Sequence, residues 1–237
     1  MEYTDAVADV RASVERSARE GTARLRFDYF TLLGPTRALT ASDHVAGRLF
    51  RALERRDLRR RMSSGTSQLD APEGQIDFRN NRSLYGHGRT TVIWRLFVDG
   101  AAYGGTPGEW GLLDREAGHA LRVDGPFWLL ALVSGTVEVN AERPEQAGGL
   151  RRYEAVSDFR RATEAILHPI APMSIDPRCD LARLPIEVWL DDQARIRRIV
   201  FFDFSNDRRS ERRTELELWG YGELPPIPKP AQPPAQA

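Results

Sequence analysis

The residues that most directly suggest catalytic or metal chemistry in this chain are four histidines, one cysteine and a pair of adjacent aspartates. His44, His87, His119 and His168 fall in four different segments and share no metal-ligand spacing. Cys179 is the only cysteine, which rules out an internal disulfide framework and a thiolate metal cluster, and it reads as a small residue in a loop. Asp191-Asp192 sets two carboxylates side by side, but it does so between two apolar runs, where aspartate bonds the backbone of a tight turn. Gly88 to Thr90 and Gly104-Gly105 are not phosphate loops, because neither opens a helix after a strand with a lysine to follow. No Gly-x-Ser-x-Gly occurs. The chemistry is read as non-enzymatic, with no cofactor and no metal.

Arginine is the other polar group with chemical reach. Lys and Arg together number 34, and Lys229 is the only lysine; 34 Asp and Glu balance them to a formal charge of zero. No global field then attracts nucleic acid or an anionic membrane, so any such binding would fall to local clusters. Arg55, Arg56, Arg59, Arg60 and Arg61 form the densest cluster, without the interleaved aromatics that stack bases, and they read as a solvated helix end. Arg195 and Arg197 project from a strand and are the candidates for holding an anionic head group bidentately at the mouth of a pocket. Nucleic acid is not an expected partner.

What remains is burial. Phe27, Tyr29, Phe78, Trp94, Leu96, Phe127, Leu130, Val133, Trp189 and Phe202 are the candidate walls of an apolar cavity. Each methylene of a guest transferred into such a cavity contributes about 0.8 kcal/mol. Periodicity alone does not separate a lined pocket from a filled core, so both readings stand for each of these residues.

The elements that must position these side chains follow from spacing. Tyr3, Ala6, Val7, Val10, Val14 and Ala18 recur at helical period, and Gly21 stands where a left-handed cap would end a helix over residues 4 to 20. Ala23, Leu25, Phe27 and Tyr29 then alternate with polar residues as a strand that Pro35 closes. A second helix is expected over 42 to 57. Strand signals return in RRMSSGTSQLD, GQIDFRNNRSLYG and TTVIWRLFVDGAAYGG, the last with an Asp99-Gly100 hairpin turn, and TPGEWGLLD supplies a further short strand. Gly125-Pro126 opens and Gly135 stops a helix that is apolar almost all round and must be enclosed. Thr136 to Asn140 pairs with Leu150 to Val156, and Ser157 is expected to cap a second short helix, DFRRATEAIL. Leu184 to Tyr221 reads as three antiparallel strands turning at Asp191 to Ala194 and at SNDRRS. Their apolar residues fall on both parities, so both faces of the sheet need cover.

This order, with GPFWLLALVSG, GGLRRYEAVSDFRRA, LPIEVWLDDQARIRRIVFF and TELELWGYGELPPIPKP, resembles the LppX/LprG-type lipoproteins of actinobacteria over roughly residues 120 to 228, and residues 5 to 30 agree in order. The resemblance implies an α+β fold of the LolA/LolB kind: a single large curved antiparallel sheet, a half-barrel, enclosing helices and a cavity for acyl chains. It implies a carrier of lipid or another amphiphile, with an envelope or membrane protein as a further partner. Residues 1–224 are assigned to this domain, with a helical insertion at 36–58, and 225–237 to a Pro-rich disordered tail. The chain is expected to be a monomer. The N-terminus has no apolar signal segment or lipid-accepting cysteine, so as written the chain reads as cytoplasmic, and as an envelope protein if such a segment precedes it. The alternative function is a protein-interaction module on the same fold, with a filled core, working through the 42 to 57 helix or the Pro-rich tail.

Overall fold

Two meanders that meet in the middle build the sheet. The computed structural model describes residues 3–33, 72–87, 93–98, 101–106, 109–113, 125–144, 149–164, 183–204 and 210–229. Helix α1 (Tyr3–Arg19) leads into β1 (Thr22–Leu33), and β2 (Gly74–Asp77), β3 (Arg82–His87), β4 (Ile93–Val98), β5 (Ala101–Thr106) and β6 (Glu109–Leu112) follow as successive neighbours on one side. After α2 (Pro126–Ser134), the second meander runs through β7 (Thr136–Pro144), β8 (Arg151–Ser157), α3 (Phe159–Glu164), β9 (Leu184–Leu190), β10 (Ile196–Phe204) and β11 (Ser210–Trp219). β11 returns to pair antiparallel with β1, from Arg24 opposite Trp219 to Leu33 opposite Ser210. The result is one open antiparallel sheet of 11 strands, in the order β6-β5-β4-β3-β2-β1-β11-β10-β9-β8-β7. The expected helix at 42 to 57, the strand RRMSSGTSQLD, the insertion 36–58, the Arg55 to Arg61 cluster, Cys179 and three of the four histidines lie outside the described residues.

Local chemistry places these elements largely where the spacing predicts. Gly21 has φ of 87° and its N–H donates to Ala18 O at 3.0 Å, ending α1 as expected. The buried face of α1 includes two serines as well as Ala6 and Val10. Ser13 Oγ donates to Val10 O (2.6 Å) and Ser17 Oγ to Ser13 O (2.8 Å), so a polar residue is buried without an orphaned hydroxyl. α2 starts at Pro126 and buries Trp128 through Val133 without a break. Val98 pairs with Ala101 across β4 and β5, while Asp99-Gly100 between them lies outside the described residues.

Several local expectations are corrected. GQIDFRNNRSLYG is two strands, because Asp77 Oδ1 accepts from Asn80 N (3.1 Å) and Asn81 takes φ of 52°, a left-handed turn that asparagine tolerates. The cap of α3 is Asp158, whose Oδ1 accepts from Arg161 N at 3.0 Å; Ser157 closes β8 and its hydroxyl donates to Leu132 O (2.7 Å). The beginning of the Pro-rich tail is docked on the sheet. Ile227 is 3% exposed, Ile227 N donates to Asp77 Oδ2 (3.2 Å), and Arg82 Nη1 donates to Ile227 O (2.6 Å). A segment without an amphipathic pattern can still contribute one buried side chain and use its free backbone groups.

The main core lies between one face of the sheet and the helices, and we call that the inner face. α1 packs on α2, β7 and β10, while α2 packs on β8, β9, β10 and α3. A second, smaller cluster of Leu96, Val98 and Ile227, with Leu84, Tyr103 and Trp110 against it, occupies the outer face of β3 to β6.

Candidate functional site

Register decides which side chains share a face, since opposite residues in an antiparallel pair point the same way and successive residues alternate. On β1, Ala23, Leu25 and Phe27 face inward. Pairing carries that face to Leu216 and Leu218 on β11, Ile199 and Phe201 on β10, Val188 and Ile186 on β9, and Tyr153 and Ala155 on β8. On the other side it passes through Ile76 on β2 to Tyr85, Phe97 and Ala102. The inner face is therefore mainly apolar from β8 to β5, with Thr214 on β11 and Ser83 on β3 as polar positions.

On β1, β3 and β4 three aromatic rings continue this face, all of them buried in the main core at 1%, 1% and 8% exposed. Phe27 and Tyr85 meet edge to face at 5.0 Å and 69°, and Tyr85 and Phe97 lie parallel at 6.2 Å and 4°. Of the residues singled out in the sequence, Phe27 is in this group. Tyr29 takes the next position of the same parity, opposite Thr214. Phe78 sits just after β2, half-buried against the main core, and its N–H donates to Gly21 O at 2.9 Å. Phe127, Leu130 and Val133 belong to α2, with Leu130 and Val133 buried and Phe127 half-buried.

Four of the candidate wall residues belong to the other face. Leu96 is buried against Ile227 and Val98, and Trp94, two residues before it on β4, shares its parity. Trp189 is 1% exposed on the outer face, opposite Arg198 on β10 and Arg152 on β8. Phe202 stands opposite Arg213, in the outer parity of Val200 and Arg198. Hydrophobicity signals burial but not the side on which burial happens, and this outer face is covered as well.

A β-bulge explains the mixed parity of β10. Ile196 pairs with Leu190 while Arg198 pairs with Trp189, so Arg197 is an extra residue that lets both Ile196 and Ile199 face inward. Arg197 is thus a bulge residue. Arg195 is tied into the turn rather than the rim of a pocket: Asp191 Oδ2 accepts from its Nε (3.0 Å) and Nη2 (2.9 Å), Glu20 lies at 3.5 Å, and the guanidinium stands 4.8 Å from the Tyr221 ring centroid. Burial works against its charge, but Asp191 and Glu20 more than offset this and hold its pKa above the ordinary value. Asp191 Oδ1 also accepts from the backbone N–H groups of Gln193 (3.1 Å) and Arg195 (2.9 Å), the turn role expected of it.

One inner-face cation was missed in the sequence. Arg95 lies opposite Tyr85 on β3 and Gly104 on β5, and so shares the face of Phe97. Alternation in IWRLFV was the available signal, since Arg95 keeps the parity of Phe97. Among the described residues no group of three or more His, Cys, Asp or Glu converges as a metal site, and no helix is long and apolar enough to cross a membrane.

No protein-family model matches the chain, and no curated protein matches it. Solved structures do. The lipoprotein LppX of Mycobacterium tuberculosis superposes with a TM-score of 0.53 at 11% identity, covering 96% of this chain and 100% of that one. LprF of Mycobacterium bovis gives 0.50 at 13% identity, covering 96% and 98%. At such identities the likeness establishes the fold.

Proposed function

Starting from a chain with the LppX/LprF fold, we propose that it binds the hydrocarbon part of a lipid or other amphiphile against the inner face of its sheet, and carries it without transforming it. The supporting observation is the aromatic run Phe27–Tyr85–Phe97, a buried apolar patch that extends the inner face onto β3 and β4. A surface of this kind recognises a guest by area rather than by directed bonds, each buried methylene contributing about 0.8 kcal/mol. Phe27, Phe78, Phe127, Leu130 and Val133 remain the proposed apolar contacts, with Tyr85 and Phe97 added. The likeness to two mycobacterial lipoproteins supports a place in a cell envelope, with a membrane as donor or acceptor of the guest. We also propose that the carrier works as a monomer.

Native mass spectrometry of the purified protein, with organic extraction of whatever is bound, tests this. A lipid-sized adduct that extraction removes, and that returns on incubation with vesicles, is the expected result. A bare mass together with no uptake from vesicles overturns the reading in favour of a protein-interaction module with a filled core.

A further inference from the structure

We infer that Arg95 holds the anionic head of the guest, so that the preferred ligand is an amphiphile bearing a phosphate, sulfate or carboxylate; this rests on the carrier reading above. The position is built by register. Arg95 faces Gly104, and Gly104 faces Gly111 on β6, so two successive inner-face positions beside the guanidinium carry no side chain. The guanidinium lies over this backbone floor. A Cβ at Gly104 would come within 3.0 Å of Arg95 Nη1 and 3.0 Å of a Leu113 methyl, whereas a Cβ at Gly111 would meet, among the described residues, only Gly104 O, at 3.8 Å. The trough is therefore bounded by Leu113 and, along β4, by Phe97, and it opens toward Gly111. It adjoins the buried Tyr85–Phe97 stack, so the charged head would sit beside the apolar interior that takes the tail.

Many of the sheet's arginines are ion-paired. Arg24, Arg151, Arg152, Arg195, Arg198 and Arg213 each have a carboxylate within ion-pair distance. Arg95 makes no ion pair among the described residues; its Nη1 donates to Trp94 O at 3.2 Å, and its buried Nε has no acceptor. Glu109, the inner-parity carboxylate of β6, lies two residues from Gly111 and is exposed. A half-buried guanidinium with unused donors is suited to a planar or tetrahedral oxyanion, which it can hold through two parallel N–H···O bonds. A partly desolvated site strengthens that attraction relative to water.

Isothermal titration of the full chain with dodecyl phosphate, with octaethylene glycol dodecyl ether and with inorganic phosphate tests the assignment. The wild type should bind dodecyl phosphate at least 10-fold more tightly than the neutral ether, with the ratio falling as salt is raised. Arg95→Met should bring the ratio close to one, and Arg95→Lys should keep part of it. Gly104→Ala keeps the charge but displaces the guanidinium, and should lower the ratio in a chain whose sheet is otherwise unaltered. Equal affinity of the wild type for both amphiphiles overturns the assignment while leaving the carrier reading in place. So does a preference that survives Arg95→Met. Binding of neither amphiphile overturns both. Arg95-dependent binding of inorganic phosphate with no gain from the dodecyl chain overturns the amphiphile in favour of a free anion.

Discussion

Trp189 and Arg198 lie directly opposite each other across β9 and β10, with the guanidinium 4.9 Å from the indole centroid, on the face turned away from α1 and α2. Arg152 approaches the same ring at 5.3 Å. Arg198 also pairs with Glu215, and Glu215 Oε2 accepts from Arg213 Nη2 at 2.6 Å. Burial lowers the Arg213 pKa, with Glu215 opposing that shift. Glu215 is 1% exposed, so this outer lattice is a buried polar network.

Removing Glu215 leaves two buried guanidinium groups without their shared carboxylate. Glu215→Ala should lower the unfolding free energy by about 3–5 kcal/mol, read from urea denaturation. Arg183→Ala, which removes the exposed pair with Glu138 at 2.7 Å, should change it by less than about 1 kcal/mol. Equal effects in the two variants would refute the assignment of a buried network.

The bulge at Arg197 sets the parity of β10. Arg197→Ala keeps the bulge and should change stability by no more than about 0.5 kcal/mol. Deleting Arg197 forces either Ile196 or the strand beyond it onto the wrong face, and should abolish the cooperative thermal transition followed by circular dichroism.

Tyr153 and Tyr221 are both held protonated above the ordinary phenol pKa of about 10. Burial is the main cause in each; Glu142 and Asp9 add to it at Tyr153, and Asp191 adds to it at Tyr221. The unfolded chain ionises these phenols near pH 10 while the folded chain keeps their protons. The stability they contribute is thus complete below about pH 10 and is lost as pH rises beyond it. Tyrosinate absorbance from these two residues should appear together with unfolding, and Tyr153→Phe should reduce the slope of stability against pH in that range.

Ile227 links the tail to the sheet. Ile227→Ala should cost about 2–5 kcal/mol, the range for a buried large aliphatic side chain. It should also speed proteolysis after Leu224, measured by mass spectrometry of the released tail. Unchanged stability and cleavage would mean that Leu96 and Val98 do not depend on this contact.

The strands and helices were legible wherever a single local pattern carried the information. Gly125-Pro126 and Gly135 bracket α2, β4 pairs with β5 as the Asp99-Gly100 signal predicts, and Asp191 stabilises the turn between β9 and β10. The order of these elements was enough to suggest the LppX-type sheet. The candidate site was less legible, because its members come from β1, β3, β4 and β5. Alternation puts Phe27 on the inner face, whereas Trp94, Leu96 and Trp189 lie on the outer face, and Arg95 beside them faces inward.

Composition and periodicity determined which residues leave water, since transfer of an apolar side chain depends on its own area and on its neighbours along the chain. Only the tertiary structure decided where those residues go. A one-residue bulge at Arg197 reverses the face of everything after it, and the return of Ile227 to β4 covers a surface that no local pattern marks as covered. Whether an arginine has a carboxylate partner depends equally on pairings between strands far apart in sequence: Arg198 finds Glu215 across β10 and β11, while Arg95 finds glycine.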